Sequence, residues 1–71
     1  MMNVRYIKRY LYTKIGSKIY VIYYGGRNKK EHYKGMLWKL YANLFIIKLP
    51  SGEIKSFNYI DIITKTIQIY I

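Results

Sequence analysis

The sequence predicts a mainly β protein in which a short N-terminal helix precedes five strands. Apolar residues recur at helical spacing only near the N-terminus, and five short segments rich in β-branched and aromatic residues follow. Glycine, proline or asparagine separates most of these segments. The chain of 71 residues is predicted to form a single domain, 1–71, that buries only about 60% of its unfolded surface. Since the sequence contains no cysteine, apolar packing alone must stabilise that domain.

The predicted helix covers residues 3–12. Four apolar residues share one side of it: Val4, Ile7, Leu11 and Ile15. Asn3 can cap its N-terminus, because the side-chain oxygen can accept a hydrogen bond from a free backbone N–H of the first turn. Gly16 suits the left-handed conformation that often ends a helix. Three turns are too short to be stable alone in water, so the helix must pack against the sheet.

Turn-forming residues set the bounds of the strands. The predicted strands are 18–24, 33–41, 44–49, 54–57 and 65–71, and one helical turn at 58–63 precedes the last of them. Gly35 interrupts the second strand, where a missing side chain permits a bulge or a sharp bend. These features predict a small five-stranded barrel of the SH3-like or Sm-like kind over residues 18–71, which would also hide the edges of a very apolar sheet.

The sequence gives no support to a membrane-spanning or catalytic function. No run of about 18 apolar residues is present, so we expect a cytoplasmic protein without a membrane span. The three acids, Glu31, Glu53 and Asp61, fall in separate predicted elements, and the one histidine, His32, is expected at the surface. A carboxylate pair or a metal-ligand cluster is therefore not expected, and we predict a non-enzyme that uses no cofactor or metal.

The charge of the chain indicates a polyanionic partner. Thirteen Lys and Arg residues against three acids give a formal charge of +10. Nucleic acid and anionic membrane surfaces both attract such a charge, although the short helix offers little apolar area for membrane insertion. A second explanation stays open, since 37 of the 71 residues are Ile, Lys, Tyr or Asn, which an AT-rich genome would favour without any selection for binding. Clustering of the cations decides between the two.

The densest group of cations follows a pair of glycines. Gly25 and Gly26 leave backbone N–H groups uncovered beside basic residues, which predicts an anion cradle; a solvated hairpin tip is the alternative. The spacing is neither a Walker loop nor a dinucleotide-binding turn, so nucleotide hydrolysis is not implied. The candidate nucleic-acid site has eight members: Arg27, Lys29, Lys30 and Lys34 for phosphates, Arg5 and Arg9 as an extension along the helix, and Tyr24 and Tyr33 for base stacking.

Residues throughout the chain also carry a family resemblance. They are Ile7-Lys8-Arg9, Gly16, Gly25-Gly26-Arg27, Lys29, Gly35, Leu37, Tyr41, Phe45, Leu49, Ser56, Tyr59, Asp61, Thr64 and Thr66. On these positions the sequence resembles the Veg family of small bacterial proteins over nearly its whole length. The resemblance implies a helix followed by an SH3-like or Sm-like barrel, a cytoplasmic location, no known catalytic activity, and stimulation of biofilm formation through extracellular-matrix gene expression. Three residues depart from the family pattern, which tends to have acids there: Lys39, Lys65 and Gln68.

Three functions stay open on this basis. The first is binding of DNA or RNA through the basic Gly-Gly loop. The second is a protein–protein interaction module that binds a transcriptional regulator through exposed tyrosines, which are favoured at interfaces. The third is a Sm-like homo-oligomer that binds RNA; a homodimer is a simpler assembly that apolar strand faces would also favour.

Overall fold

The computed structural model describes residues 3–26 and 28–71. Its elements, in chain order, are α1 (Val4–Tyr12), β1 (Lys18–Tyr24), β2 (Lys30–Leu40), β3 (Leu44–Lys48), β4 (Ile54–Asn58), α2 (Ile60–Ile63) and β5 (Ile67–Tyr70). Neighbouring strands are antiparallel and lie in the order β4-β3-β2-β1-β5. The predicted helix, the five strands and the helical turn before the last strand are therefore confirmed.

The prediction of a closed barrel is wrong. Strands β4 and β5 form the two opposite edges of the sheet, and within the described part of the chain they are not hydrogen-bonded to each other. Closure would require a ladder between these edges. Instead, α2 contacts both strands, and the fully buried Tyr59 just before it donates a hydrogen bond from its hydroxyl to the Tyr41 carbonyl oxygen at 2.7 Å. Side-chain packing thus joins the two edges where a barrel would have backbone pairing.

Strand β2 runs very close to β3 at Gly35, whereas the bulge that the sequence predicts there lies further along the strand. Residues 30–36 pair with β1 and residues 36–40 pair with β3, so this one strand belongs to both halves of the sheet. A Cβ atom at Gly35 would lie 2.5 Å from the backbone oxygen of Lys48, which is too close for any other residue. The register then shifts between Leu37 and Lys39, which makes Trp38 a bulge.

Helix α1 packs on one side of the sheet. The Asn3 side-chain oxygen accepts a hydrogen bond from the Tyr6 backbone N–H at 2.8 Å, so the predicted cap is confirmed. Ile7 and Leu11 are buried, whereas Ile15 is 44% exposed because the helix ends before it. Gly16 has φ +91°, in agreement with its predicted left-handed conformation. The buried core consists of Ile7, Leu11, Ile19, Val21, Leu37, Phe45, Ile47, Tyr59 and Ile67.

Strand alternation gives the sheet a second surface, which we call the outer face. Successive side chains of a strand point to opposite sides, and the buried residues of β1, β2, β3 and β5 point toward α1. The residues between them point away from it. Members of the outer face are Lys18, Tyr20, Ile22, Tyr24, Lys30, His32, Lys34, Met36, Ile46, Lys48, Gln68 and Tyr70.

Candidate nucleic-acid interface

The outer face is cationic and carries no acid at any of its twelve positions. It presents four lysines: Lys18, Lys30, Lys34 and Lys48. Glu31 lies next to Lys30 in β2, but strand alternation turns its side chain to the other side of the sheet. There it pairs with Tyr23 on the core side. Glu53 lies just before β4 and forms an ion pair with Lys55 of that strand at 3.3 Å. Asp61 lies in α2. Nothing on the outer face therefore neutralises its lysines.

Aromatic rings cover the half of the outer face formed by β1, β2 and β5. This tyrosine cluster consists of Tyr20, Tyr24, His32 and Tyr70. The Tyr20 ring stacks on His32 with centroids 5.6 Å apart and contacts Tyr70 at 6.0 Å, and the Tyr20 hydroxyl shares a hydrogen bond with His32 Nδ1. The hydroxyls of Tyr24 and Tyr70 both donate to Gln68 Oε1, at 3.0 and 3.1 Å. These contacts hold the four rings in one layer.

Lysines of β2 lie directly over two rings of the tyrosine cluster. The Lys34 ammonium is 5.7 Å from the Tyr20 ring centroid, and the Lys30 ammonium is 5.5 Å from that of Tyr24. Both distances are in the range of cation–π attraction. Cross-strand pairing explains them, because Tyr20 is opposite Lys34 and Tyr24 is opposite Lys30 in the β1–β2 register. The surface thus alternates rings with positive charges.

A second aromatic site lies near the β2–β3 end of the sheet. The ammonium groups of Lys39 and Lys48 are 4.8 and 5.0 Å from the centroid of the Trp38 ring. A groove of about 770 Å³ lies beside the tyrosine cluster and extends to Lys48. Its lining includes Tyr20, Tyr70, Lys34, Met36 and Lys48.

Three of the eight sequence-predicted site residues come together on the outer face: Tyr24, Lys30 and Lys34. Lys29 is exposed in the connection that leads to them. Arg27 lies outside the described residues. The Gly25 N–H donates to the Lys29 oxygen at 3.2 Å and the Lys29 N–H donates to the Gly26 oxygen at 3.3 Å. These two N–H groups are therefore already bonded within the loop, and they do not provide the predicted anion cradle.

The predicted extension of the site along the helix is not formed. Arg5 and Arg9 lie about half a turn around α1 from the buried Ile7 and Leu11, so they point away from the sheet. The outer face is on the other side of that sheet. We call the exposed surface of α1 the helix face; it consists of Arg5, Tyr6, Lys8, Arg9 and Tyr12. The two basic surfaces are on opposite sides of the molecule.

Tyr33 was predicted to be exposed for base stacking, and this is wrong. It pairs with Val21 on the core side, is half-buried, and contacts the Phe57 ring with centroids 5.7 Å apart. Its hydroxyl donates to Glu31 Oε2. That hydrogen bond, together with burial, raises the pKa of Tyr33. A phenol in this position supports packing and not contact with a nucleic acid.

Sequence reasoning missed Trp38 and several members of the outer face: Tyr20, His32, Lys48 and Tyr70. Alternation through β1 would have grouped Tyr20 with Tyr24, but both sides of that strand are apolar, and only the position of α1 shows which one is covered. Trp38 follows a register shift that has no clear signal in the sequence. Pairing of β5 with β1, which brings Tyr70 to Tyr20, depends on the whole sheet.

Metal and membrane sites receive no support from the structure. Residues 3–26 and 28–71 contain no group of three or more His, Cys, Asp or Glu side chains placed to hold a metal ion. Over the same residues, no helix has the length and apolar character needed to cross a membrane.

An open antiparallel sheet with an acid-free face of lysines and aromatic rings defines a small basic β-sheet protein. A comparison with protein families identifies it further. The family described as biofilm formation stimulator VEG matches residues 2–70, and the chain belongs to this family. A search of curated proteins found no match. The family resemblance seen in the sequence is thereby confirmed.

Proposed function

We propose that this member of the VEG family acts in biofilm and matrix-gene regulation by binding nucleic acid through its outer face. The observation that carries the proposal is the arrangement of lysine ammonium groups over aromatic rings on a surface without acids. Lysines can neutralise phosphates, and exposed rings can stack on bases. The Gly-Gly loop contributes Lys29 at one end of this surface.

The positions of the charges support the proposal more than the net charge does. An AT-rich genome would supply many lysines, but it gives no reason for Lys30 and Lys34 to lie over tyrosine rings on one face. The four strand lysines and Lys29 could together contact about four to six phosphates, for which the slope of log affinity against log salt is about −3 to −5. Such a dependence is the first property to measure, with DNA and RNA of mixed sequence.

Paired charge reversals test whether the outer face is the binding surface. Lys30→Glu/Lys34→Glu and Arg5→Glu/Arg9→Glu change the net charge by the same amount, one pair on the outer face and the other on the helix face. At low salt we expect the first variant to lose about tenfold or more in affinity for labelled DNA and RNA, and the second to lose about threefold or less. Fluorescence anisotropy gives the affinities, and circular dichroism checks the fold.

Three results would contradict the proposal. Equal losses in both variants would mean that the affinity follows net charge and that no particular surface binds. Absence of binding by the unmodified protein at low salt would exclude nucleic acid as the partner. Salt-independent binding would count against it as well, since phosphate contacts release counterions.

A protein partner is the second candidate, and the helix face supports it. Tyr6 and Tyr12 are 58% and 71% exposed, and tyrosine is favoured at protein interfaces. In this reading the helix face binds a transcriptional regulator. Loss of biofilm stimulation in Arg5→Glu/Arg9→Glu, with nucleic-acid binding retained, would favour this function over the first.

An assembly of copies stays a further prediction. Within the described residues, β4 and β5 each have one strand edge without a partner, and pairing of these edges between copies would give a Sm-like ring or a dimer. Light scattering in solution distinguishes either assembly from a monomer.

A further inference from the structure

We infer that the bound nucleic acid is single-stranded and that one of its unpaired bases stacks on Trp38, between the lysines that now lie over that ring. The inference rests on the proposed function and adds to it the class of nucleic acid and a residue that recognises bases. Trp38 is the one tryptophan of the chain. It did not belong to the site predicted from the sequence.

Trp38 has no role in the described apolar core. The core cluster and the partly buried residues packed against it do not include this side chain, although it is the largest apolar one in the protein. Strand alternation places it on the same side as Met36, and it lies at the bulge between Leu37 and Lys39. A tryptophan that is half-buried on a basic face and takes no part in the core offers a flat surface to a ligand.

The two ammonium groups over Trp38 can be displaced by a base. The Nζ atoms of Lys39 and Lys48 lie 4.8 and 5.0 Å from the ring centroid. An exposed cation–π contact is weaker than the stacking of a base on an aromatic ring. Both lysines are exposed and have long flexible side chains, so an incoming base can replace them on the ring. Each ammonium then remains close enough to bind a neighbouring phosphate.

The spacing of the two aromatic sites favours an unpaired strand over a duplex. The groove beside the tyrosine cluster includes Lys48, whose ammonium group also lies over the Trp38 ring. Lys34, which is opposite Tyr20, and Trp38 are four residues apart on β2, which corresponds to roughly 13 Å of strand. In a duplex the base faces are covered by their neighbours, so only an unpaired strand can present bases to both sites while its phosphates contact the lysines.

Fluorescence of Trp38 tests the inference directly, because no other tryptophan contributes. The unmodified protein is titrated at low salt with oligothymidylate of about 15 nucleotides, with a duplex of equal length, and with heparin, a polyanion without bases. We expect strong quenching by oligothymidylate and much weaker quenching by the duplex and by heparin. Trp38→Leu should lose about 5- to 50-fold in affinity for oligothymidylate and about twofold or less for heparin, and Trp38→Phe should recover part of the loss.

The outcomes separate the inference from the proposed function. If oligothymidylate and heparin bind equally and neither quenches Trp38 more than the other, base stacking is excluded while charge-based binding of nucleic acid stands. If Trp38→Leu weakens the binding of the duplex and of the single strand to the same extent, the preference for single strands is excluded. If neither nucleic acid binds the unmodified protein, the proposed function itself is wrong. Should Trp38→Leu fail to fold, the titrations of the unmodified protein and of Trp38→Phe still decide.

Discussion

The outer face and the helix face have the same ingredients in different arrangements. Both are basic, and both expose tyrosines. On the outer face, strand register places two of the four lysines opposite tyrosine rings, and the Tyr20 ring contacts both His32 and Tyr70. On the helix face, Arg5 and Arg9 share one stripe of α1, but Tyr6 points away from it, because successive residues of a helix are rotated by about 100°.

This difference indicates that composition alone does not make a binding surface. In a sheet, alternate residues of neighbouring strands lie about 5 Å apart on one flat surface, so charges and rings can act on a single extended ligand. A three-turn helix offers only a narrow stripe in any one direction. Substitutions on one side of the sheet therefore test whether the other side is affected.

Replacement of Gly35 should have the largest effect, because this residue allows β2 to serve both halves of the outer face. The added methyl group of Gly35→Ala would meet the Lys48 backbone oxygen, which cannot move without disturbing the β2–β3 pairing. We expect a loss of about 3 kcal/mol in the free energy of unfolding. Chemical denaturation measures it.

Gly52→Ala is the matched control for this substitution. A Cβ atom there has open space around it, but the residue has φ +93°, so we expect a loss of only about 1 kcal/mol. Equal losses in the two variants would mean that backbone conformation, and not close approach of β2 and β3, explains the glycine at position 35.

Local signals in the sequence predicted much of this fold. The cap at Asn3 and the bounds of β1 each depend on a few neighbouring residues, and both are confirmed. Barrel closure could not be decided in this way, because it depends on how Tyr59 and α2 fill the space between β4 and β5, which are far apart in the sheet. A helical turn was predicted at this point, but its position between two sheet edges was not.

The site was predicted less well than the fold, for a related reason. Lys30 and Lys34 were found because they are close together in sequence. Tyr33 was misplaced and Trp38 was missed, since only the packing of α1 shows which side of the sheet is covered. Recognition of a face requires tertiary information, whereas recognition of a strand does not.

Removal of the Tyr59 hydroxyl, on the side of the sheet that packs against α1, should have an intermediate effect on the free energy of unfolding. Tyr59→Phe loses the hydrogen bond to the Tyr41 carbonyl oxygen, and we expect a loss of about 1 kcal/mol at neutral pH. Nucleic-acid affinity should stay within about twofold, since the outer face does not include this residue. A larger change in affinity would show that the two sides of the sheet are coupled.

The pH dependence of stability gives an independent measure of the same residue. Burial raises the pKa of Tyr59 above its ordinary value of 10.0, so the folded state holds its phenolic proton more tightly than the unfolded state does. The corresponding stabilisation is fully present below pH 10.0 and is lost as the pH rises through the higher pKa of the folded protein. Above that pH, the free energy of unfolding of the unmodified protein should therefore fall more steeply than that of Tyr59→Phe.

Loss of the helix cap should have the smallest effect on stability. It also gives the clearest test of whether the helix face and the outer face act separately. Asn3→Ala removes the acceptor for the Tyr6 N–H, and we expect a loss of about 1 kcal/mol or less, with fraying confined to the first turn of α1. Asn3→Ser is the matched control, because serine also caps helices and should restore most of the stability. Hydrogen exchange of the α1 amides would report the fraying. If binding of single-stranded nucleic acid depends on the outer face alone, its affinity stays unchanged while those amides exchange faster. A parallel loss of affinity would mean that α1 takes part in binding, and the division of roles between the two faces would then have to be abandoned.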